Sequence, residues 1–177
     1  MILALIAAAW GFDFAYETPS SGATAAGLSP AARTGPSGLP LPRFVSLRAD
    51  RVNVRAGPGR SHRVTWTFNR EGLPVEVISE FDNWRRVRDS DGAEGWVFHS
   101  LLSGRRTGVV APWSDEDTLA VRRRADENAR VAALMEPGVL VDLEDCDGEW
   151  CRVSVESVTG WMHQDRLWGV YPRETIR

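Results

Sequence analysis

Two cysteines, three histidines and a run of acids are the residues through which this 177-residue chain could do covalent or metal chemistry. A nucleophile needs a base within reach, and the nearest candidates are Cys146 or Cys151 with His163. His62 and His99 read as loop or surface residues. Zinc wants four ligands, and the single cysteine pair with His163 falls short of that. Asp115-Glu116-Asp117 reads as a solvated connector, and no phosphate-cradling loop or paired-carboxylate signature is present. Catalysis, a metal and a cofactor are therefore not expected. What remains is recognition: eight Trp offer stacking surfaces, and all 21 basic residues are Arg, the better fork for carboxylates.

Those residues are laid out twice. From Val54 to Leu102 and from Val121 to Leu167 the chain repeats a Val-Arg, a loop, a Val, a Gly, a paired-strand signal around a Trp, then Gly-Trp and a closing Leu. The offset drifts from 67 (Val54 to Val121) through 66 (Trp84 to Trp150) to 65 (Trp96 to Trp161), which two single-residue deletions explain. A period this long, present twice, fits a duplicated domain better than a solenoid. Under the middle offset Cys146 and Cys151 correspond to Glu80 and Arg85. An ion pair in one copy and two thiols in the other both make sense if the positions face each other across a hairpin, where either a charge pair or a disulfide fits. Free thiols in a reducing compartment and a metal pair with His163 stay open as alternatives.

Within each copy the apolar period is two, the mark of half-buried strands. In the first, 73–78, 84–88 and 94–98 read as strands separated by turns at Asp82-Asn83 and Asp91-Gly92; in the second, 139–143, 150–155 and 160–162 repeat the plan. The nearest approach to a helical stripe is 127–136, yet Arg130-Val131-Ala132 aligns with the strand at Arg63-Val64-Thr65. The expectation is all-β: two tandem small barrels of about five strands each. Alternation then sorts the rings. If Val87 and Val97 point inward, Trp84, Arg86 and Arg88 share an outer face with Trp96 and Phe98 on the adjoining strand. The rings could equally cap the small cores or bury the contact between copies.

Composition sets the boundaries around this plan. Residues 1–43 carry two Arg and two acids, residues 44–106 eleven Arg against eight acids, and residues 107–177 eight against fourteen, giving 0, +3 and −6. With the second copy acidic, nucleic-acid binding is not favoured. Residues 2–10 form an apolar run too short to span a bilayer and resemble the core of a secretory signal, with Ala23-Thr24-Ala25 as a small-x-small cleavage site. The reading is a signal peptide over 1–26 whose start is truncated or misassigned, with an unstructured tail as the alternative. A flexible linker follows over 27–43, poor in large apolar residues. The copies then occupy 44–106 and 107–177. A disulfide would agree with export to the periplasm or beyond.

The pieces VNVRAGPG (52–59), Val64, Gly72, Val75-Glu76-Val77, Trp84-Arg85-Arg86-Val87 and Gly95-Trp96-Val97 through Leu102 resemble a bacterial Src-homology-3 (SH3-like, SH3b) domain. The second copy resembles it more loosely, and the match spans 44 to about 170, in the manner of tandem, exported, alphaproteobacterial-type members. The resemblance implies a binding module, with Trp84 and Trp150 at positions that line the peptide groove in eukaryotic relatives. The aromatic that closes that groove stands here as Leu101 and Arg166, which argues against gripping a polyproline helix. Rings beside Arg86, Arg88, Arg60 and Arg63 better suit an acidic peptide or a glycan bearing carboxylated peptides, and the implied partner is cell-wall peptidoglycan or an envelope protein or peptide. The alternative is a structural or assembly protein of the envelope whose aromatic faces dock the copies or another protein. Gly57-Pro58-Gly59 becomes Arg124-Ala125-Asp126 in the second copy, so a loop that required glycine's conformational freedom would not survive there.

Overall fold

The computed structural model describes residues 33–177. The leader over 1–26 and the first residues of the linker lie outside the described residues. Strands β1 (Arg33–Thr34) and β2 (Pro40–Leu41) form a small hairpin. The first barrel follows as β3 (Arg43–Leu47), β4 (Val52–Arg55), β5 (Val64–Phe68), β6 (Pro74–Phe81), β7 (Trp84–Arg88), β8 (Glu94–Phe98) and β9 (Leu102–Ser103). The second is β10 (Thr107–Val110), β11 (Leu119–Arg122), β12 (Val131–Met135), β13 (Leu140–Asp147), β14 (Trp150–Val155), β15 (Val158–His163) and β16 (Leu167–Trp168), with β17 (Thr175–Ile176) added against β13. Single 3-10 turns, His99–Leu101 and Gln164–Arg166, precede β9 and β16. The described residues contain no α-helix, and 131–135 is strand as the alignment of copies requires.

The two sheets have the same neighbour order. In the first it is β5-β4-β8-β7-β6-β3-β9, and in the second β12-β11-β15-β14-β13-β10-β16, which is the same list under the repeat. Even the irregularities recur: the register shifts at Val54/Arg55 and Val77/Ser79 return at Val121/Arg122 and Leu143/Asp145. Each barrel has more strands than the five expected, because β3 and β10 at the start and the two-residue β9 and β16 at the end carry too little periodicity to register as strands in a sequence.

Val52, Val54, Val75, Val77, Val87 and Val97 are fully buried and form the first core with Leu41, Leu47 and Leu102. Val110, Val121, Val141, Leu143, Val153 and Met162 anchor the second, which also holds Cys146 and Cys151. The repeated Gly-Trp has a packing cause. A Cβ on Gly95 would run into the Val54 side chain, and one on Gly160 into Val121 and the Arg122 carbonyl, so β8 and β15 can cross β4 and β11 closely only with glycine there. Gly72 and Gly138, at φ 80° and 83°, make the equivalent turns before β6 and β13.

Residues 33–43, where composition suggested a flexible linker, lie on the first barrel. Leu41 joins its core, and Ser37 donates from its amide and its hydroxyl to Glu80 at 2.9 and 2.8 Å. Leu41, Ser37 and, at the end of the segment, Arg43, 2.7 Å from Glu80, fasten a stretch whose composition is otherwise that of a linker.

The barrels dock through residues from the ends of both copies. Phe44 meets the Trp168 ring edge-on at 5.1 Å and the Tyr171 ring at 4.7 Å. Tyr171 donates its hydroxyl to Glu76 at 2.9 Å, and the Trp168 indole donates to the Pro74 carbonyl at 3.3 Å. Thr107 Oγ1 donates to the Gly72 carbonyl at 2.6 Å and sits 2.6 Å from Ser46 Oγ, so the buried hydroxyls at the junction are satisfied. Burial first, and then the Glu76 charge, push the Tyr171 hydroxyl far up, which keeps it protonated as a donor.

Candidate functional site

Strands β7 and β8 set the register of the face expected to bind. Trp84 lies opposite Phe98, Arg86 opposite Trp96 and Arg88 opposite Glu94. Trp84 shares that face but is only 8% exposed, because Phe98 lies edge-on against it at 5.4 Å. Trp150 is the same in the second copy, 7% exposed beneath His163 at 5.3 Å. Strand alternation identifies the face but cannot show that a cross-strand ring will fold over its neighbour. Trp96 and Phe98 stay half-buried, and the Arg60 guanidinium stands 5.9 Å over the Phe98 ring, within cation–π reach.

The two arginines do not stand alone on this face. Arg86 and Arg88 each reach Glu94 at 2.8 Å, and Arg88 also reaches Glu76 at 3.2 Å. The Glu94 hydrogen bond raises the Arg88 guanidinium further above its ordinary range. Glu94 thus holds the two side chains parallel and cancels part of their charge, a role that sequence reading did not assign.

Sequence reading also missed an Arg-Trp-Arg ladder. Trp96 is flanked in register by Arg86 on β7 and Arg55 on β4; Trp161 is flanked by Arg152 on β14 and Arg122 on β11. The signal was available, since Arg55 and Arg122 close the repeated Val-Arg and the tryptophans close the repeated Gly-Trp. The inner arginines have a second task. Arg55 donates to the carbonyls of Arg60 (3.1 Å) and His62 (2.7 Å), and Arg122 donates to that of Ala129 (2.9 Å), the position equivalent to His62.

Those bonds hold the loops beside the face, and the loops match. Backbone bonds Ala56 to Arg63, Gly59 to Gly57 and His62 to Gly59 have counterparts Arg123 to Arg130, Asp126 to Arg124 and Ala129 to Asp126. Neither Gly57 nor Gly59 has a positive φ, so replacing them by Arg124 and Asp126 costs the loop nothing in backbone strain. The loop expected to diverge is therefore preserved, and Asp126 adds a side-chain bond from the Asn128 amide at 2.7 Å.

The surroundings of the two buried tryptophans differ. Around Trp150 a groove of about 560 Å³ is lined by Leu134, Glu116, Glu127, Arg122, Arg166 and His163. His163 Nδ1 lies 2.8 Å from Asp165, and Arg166 reaches Glu116 at 2.6 Å. Glu127 stands where the first copy has Arg60, so the basic lid of one copy is replaced by an acid in the other.

Cys146 and Cys151 face each other in register and are bonded, with their Cα atoms 4.1 Å apart. Glu80 and Arg85, opposite each other at the equivalent place, make an ion pair at 3.1 Å. With both sulfurs in the bond, neither cysteine is a nucleophile partnered by His163 or a metal ligand.

Over 126 residues the chain is 25% identical to a Bacillus subtilis (strain 168) protein named "Putative N-acetylmuramoyl-L-alanine amidase YrvJ", covering 67% of this chain and 24% of that protein. The chain therefore spans about a quarter of the length of that curated relative. Among solved structures, NlpC2 and NlpC1 from Trichomonas vaginalis align at 13% and 14% identity, each with a TM-score of 0.32, over 72% and 79% of this chain and 48% and 50% of theirs. The family described as bacterial SH3 domain matches twice, at 48–104 and 115–169. The chain belongs to the bacterial SH3 domain family and carries two such domains in tandem.

Proposed function

We propose that this chain is an exported, non-catalytic recognition module for peptidoglycan or another carboxylate-bearing peptide of the cell envelope. The ligand lies on the face where Arg86, Arg88, Trp96 and Phe98 stand over Trp84 in the first barrel, with Trp150 marking the related face of the second. The observation that carries this reading is the Arg55-Trp96-Arg86 ladder and its repetition as Arg122-Trp161-Arg152. A half-buried indole set in register between two arginines supplies a stacking platform, and Arg86, its side chain 48% exposed, brings a charge-assisted donor beside it, the chemistry that holds a peptide carboxylate. The relative named for N-acetylmuramoyl-L-alanine chemistry and the domain family both favour a wall ligand. The buried disulfide favours an oxidising compartment. No helix among the described residues is long and apolar enough to cross a membrane.

Retention of the protein on purified cell wall tests the reading. Trp96→Ala and Arg86→Ala are expected to lower retention about tenfold with thermal melts close to the parent, because neither side chain belongs to an aliphatic core. Unchanged retention in both variants removes the face from consideration. Trp84→Ala is a poor probe, since that ring is buried and its loss would lower stability as well. The alternative of an envelope assembly protein is favoured by exposed Val64 on β5 and exposed Val131 and Leu134 on β12, the outermost strands of their sheets. It predicts a self-associated or partner-bound species in sedimentation that Val131→Lys disperses.

A further inference from the structure

The junction between the barrels holds a cleft of about 570 Å³ that the proposed binding face does not include. Its walls are rings from both copies: Phe44 from β3, Trp168 and Tyr171 from the end of the second barrel, and Trp113 from the loop that leads into β11. Three of these have a structural task, as Phe44, Trp168 and Tyr171 pack on one another at the junction. Trp113 has none. It is 56% exposed, belongs to neither core, and lies in the loop that carries Asp115-Glu116-Asp117. An exposed indole over an aromatic wall is costly surface for a free protein and useful surface for a bound one.

Charge selects the occupant. Glu76, Glu149 and Asp165 line the cleft against one guanidinium, that of Arg173, and one histidine, His163. Glu76 is committed to Arg88 and Tyr171, but Glu149 and Asp165 have side chains 72% and 65% exposed. Both face the same imidazole, Asp165 at 2.8 Å and Glu149 at 3.7 Å, and Asp165 is also 3.7 Å from Arg166. A carboxylate ligand would meet these acids and be repelled. An ammonium group is favoured twice, by the ring faces through cation–π attraction and by the acids at the rim. An aliphatic stem would lie along Leu167 and Val170, which also line the cleft.

We propose that this junction cleft is a second ligand site, taking a primary ammonium group on an aliphatic stem. It contains no ladder residue, although it shares His163 and Asp165 with the groove around Trp150, and it is opposite to the ladder faces in charge preference. Because its walls come from both barrels, it exists only while they are docked.

The test is a titration of the ¹⁵N-labelled whole chain, at about pH 8, with Nα-acetyl-L-lysine amide, monitored at the tryptophan indole N–H signals. Nα-acetyl-L-norleucine amide, the neutral analogue of similar length, is the comparison probe. The expected result is a saturable shift of the Trp113 and Trp168 signals with the lysine probe, and at least a fivefold weaker response to norleucine. Trp113→Ala, exposed and outside both cores, should weaken lysine binding by about fivefold or more, and Glu149→Gln with Asp165→Asn by a similar factor. Equal binding of the two probes, no saturation by lysine, or shifts confined to Trp96 and Trp161 would each overturn the proposal. Wall retention by the ladder faces is read on different residues, so either proposal can fail without the other.

Discussion

At the same corner of the same strand order, the first barrel places Glu80 opposite Arg85 and the second places Cys146 opposite Cys151. Glu80 and both cysteines are buried, Arg85 is partly so, and both pairs tie β6 or β13 to the next strand, yet they demand different things of their surroundings. The disulfide is complete in itself and sits within the second aliphatic core. The Glu80 carboxylate, with its side chain 1% exposed, cannot be buried on one partner alone. It recruits Arg43 at 2.7 Å and both donors of Ser37. The hairpin of β1 and β2 is held to the first barrel because a buried charge there needs it. Two small domains with one architecture have met marginal stability in two ways, one covalent and local, the other electrostatic and dependent on residues upstream.

Removing Glu80 should break the comparison most severely. Glu80→Ala leaves Arg43 and Arg85 without their shared partner and frees Ser37, and loss of one member of a buried ion pair costs about 3 to 5 kcal/mol. Calorimetry should show the first barrel melting early, and proteolysis should reach residues 33–42. A melt unchanged within about 1 kcal/mol would show that the cluster is not what fastens the hairpin. Replacing both Cys146 and Cys151 by Ser should cost about 2 kcal/mol, the loop-closure value for so short a ring. Reduction of the parent should do the same, while the Glu80 variant's early transition stays put. If reduction lowers the first barrel equally, the copies share one cooperative unit and the contrast is lost.

Acid should sharpen the difference by a smaller amount. Burial pushes the Glu80 carboxyl up, but the Ser37 amide, Arg43 and the Ser37 hydroxyl outweigh it and hold the group below its ordinary value. With the folded value depressed, the stabilisation is present above the unfolded glutamate range, near pH 4.3, and is lost as pH falls through the folded value. A disulfide does not titrate. At the corresponding corner of the second barrel Asp147 is also held low, by the Trp150 and Glu149 amides. Melts from about pH 5 to pH 2 should therefore lower the first transition through the Glu80 cluster, and the second through Asp147 and not through its disulfide. The smallest effect belongs to the loop anchors. Arg55→Ala and Arg122→Ala should each cost about 1 to 2 kcal/mol from charged hydrogen bonds, the first more because Arg55 makes two such bonds and Arg122 one.

Much of this was legible in the residues. Duplication, the all-β class, the opposed Glu80-Arg85 and Cys146-Cys151 pairs and the shared face of Arg86, Arg88, Trp96 and Phe98 all follow from a period of two and a repeat of known offset. What was not legible depends on contacts between distant segments. Nothing in the composition of 33–43 announces that Ser37 meets Glu80, 43 residues away. Nor does alternation reveal that Phe98 covers Trp84, or that Glu94 engages both arginines of the face. The docking rings are Phe44, Trp168 and Tyr171, at the outer ends of the copies where the repeat pattern has already stopped, and they are not the rings of the expected face. The loop of Arg124-Ala125-Asp126 misled for the opposite reason: glycine in a sequence suggests a need for unusual φ that this loop does not have.

Because Phe44, Trp168 and Tyr171 pack one barrel against the other, the two faces proposed to bind are held at one separation, like the jaws of a caliper. Were both faces to bind as proposed, a polymer whose repeat matches that gap would engage both jaws at high effective concentration, while one out of step would be gripped by a single jaw and slip free. Selectivity would then reside in the spacing of the targets as much as in their chemistry.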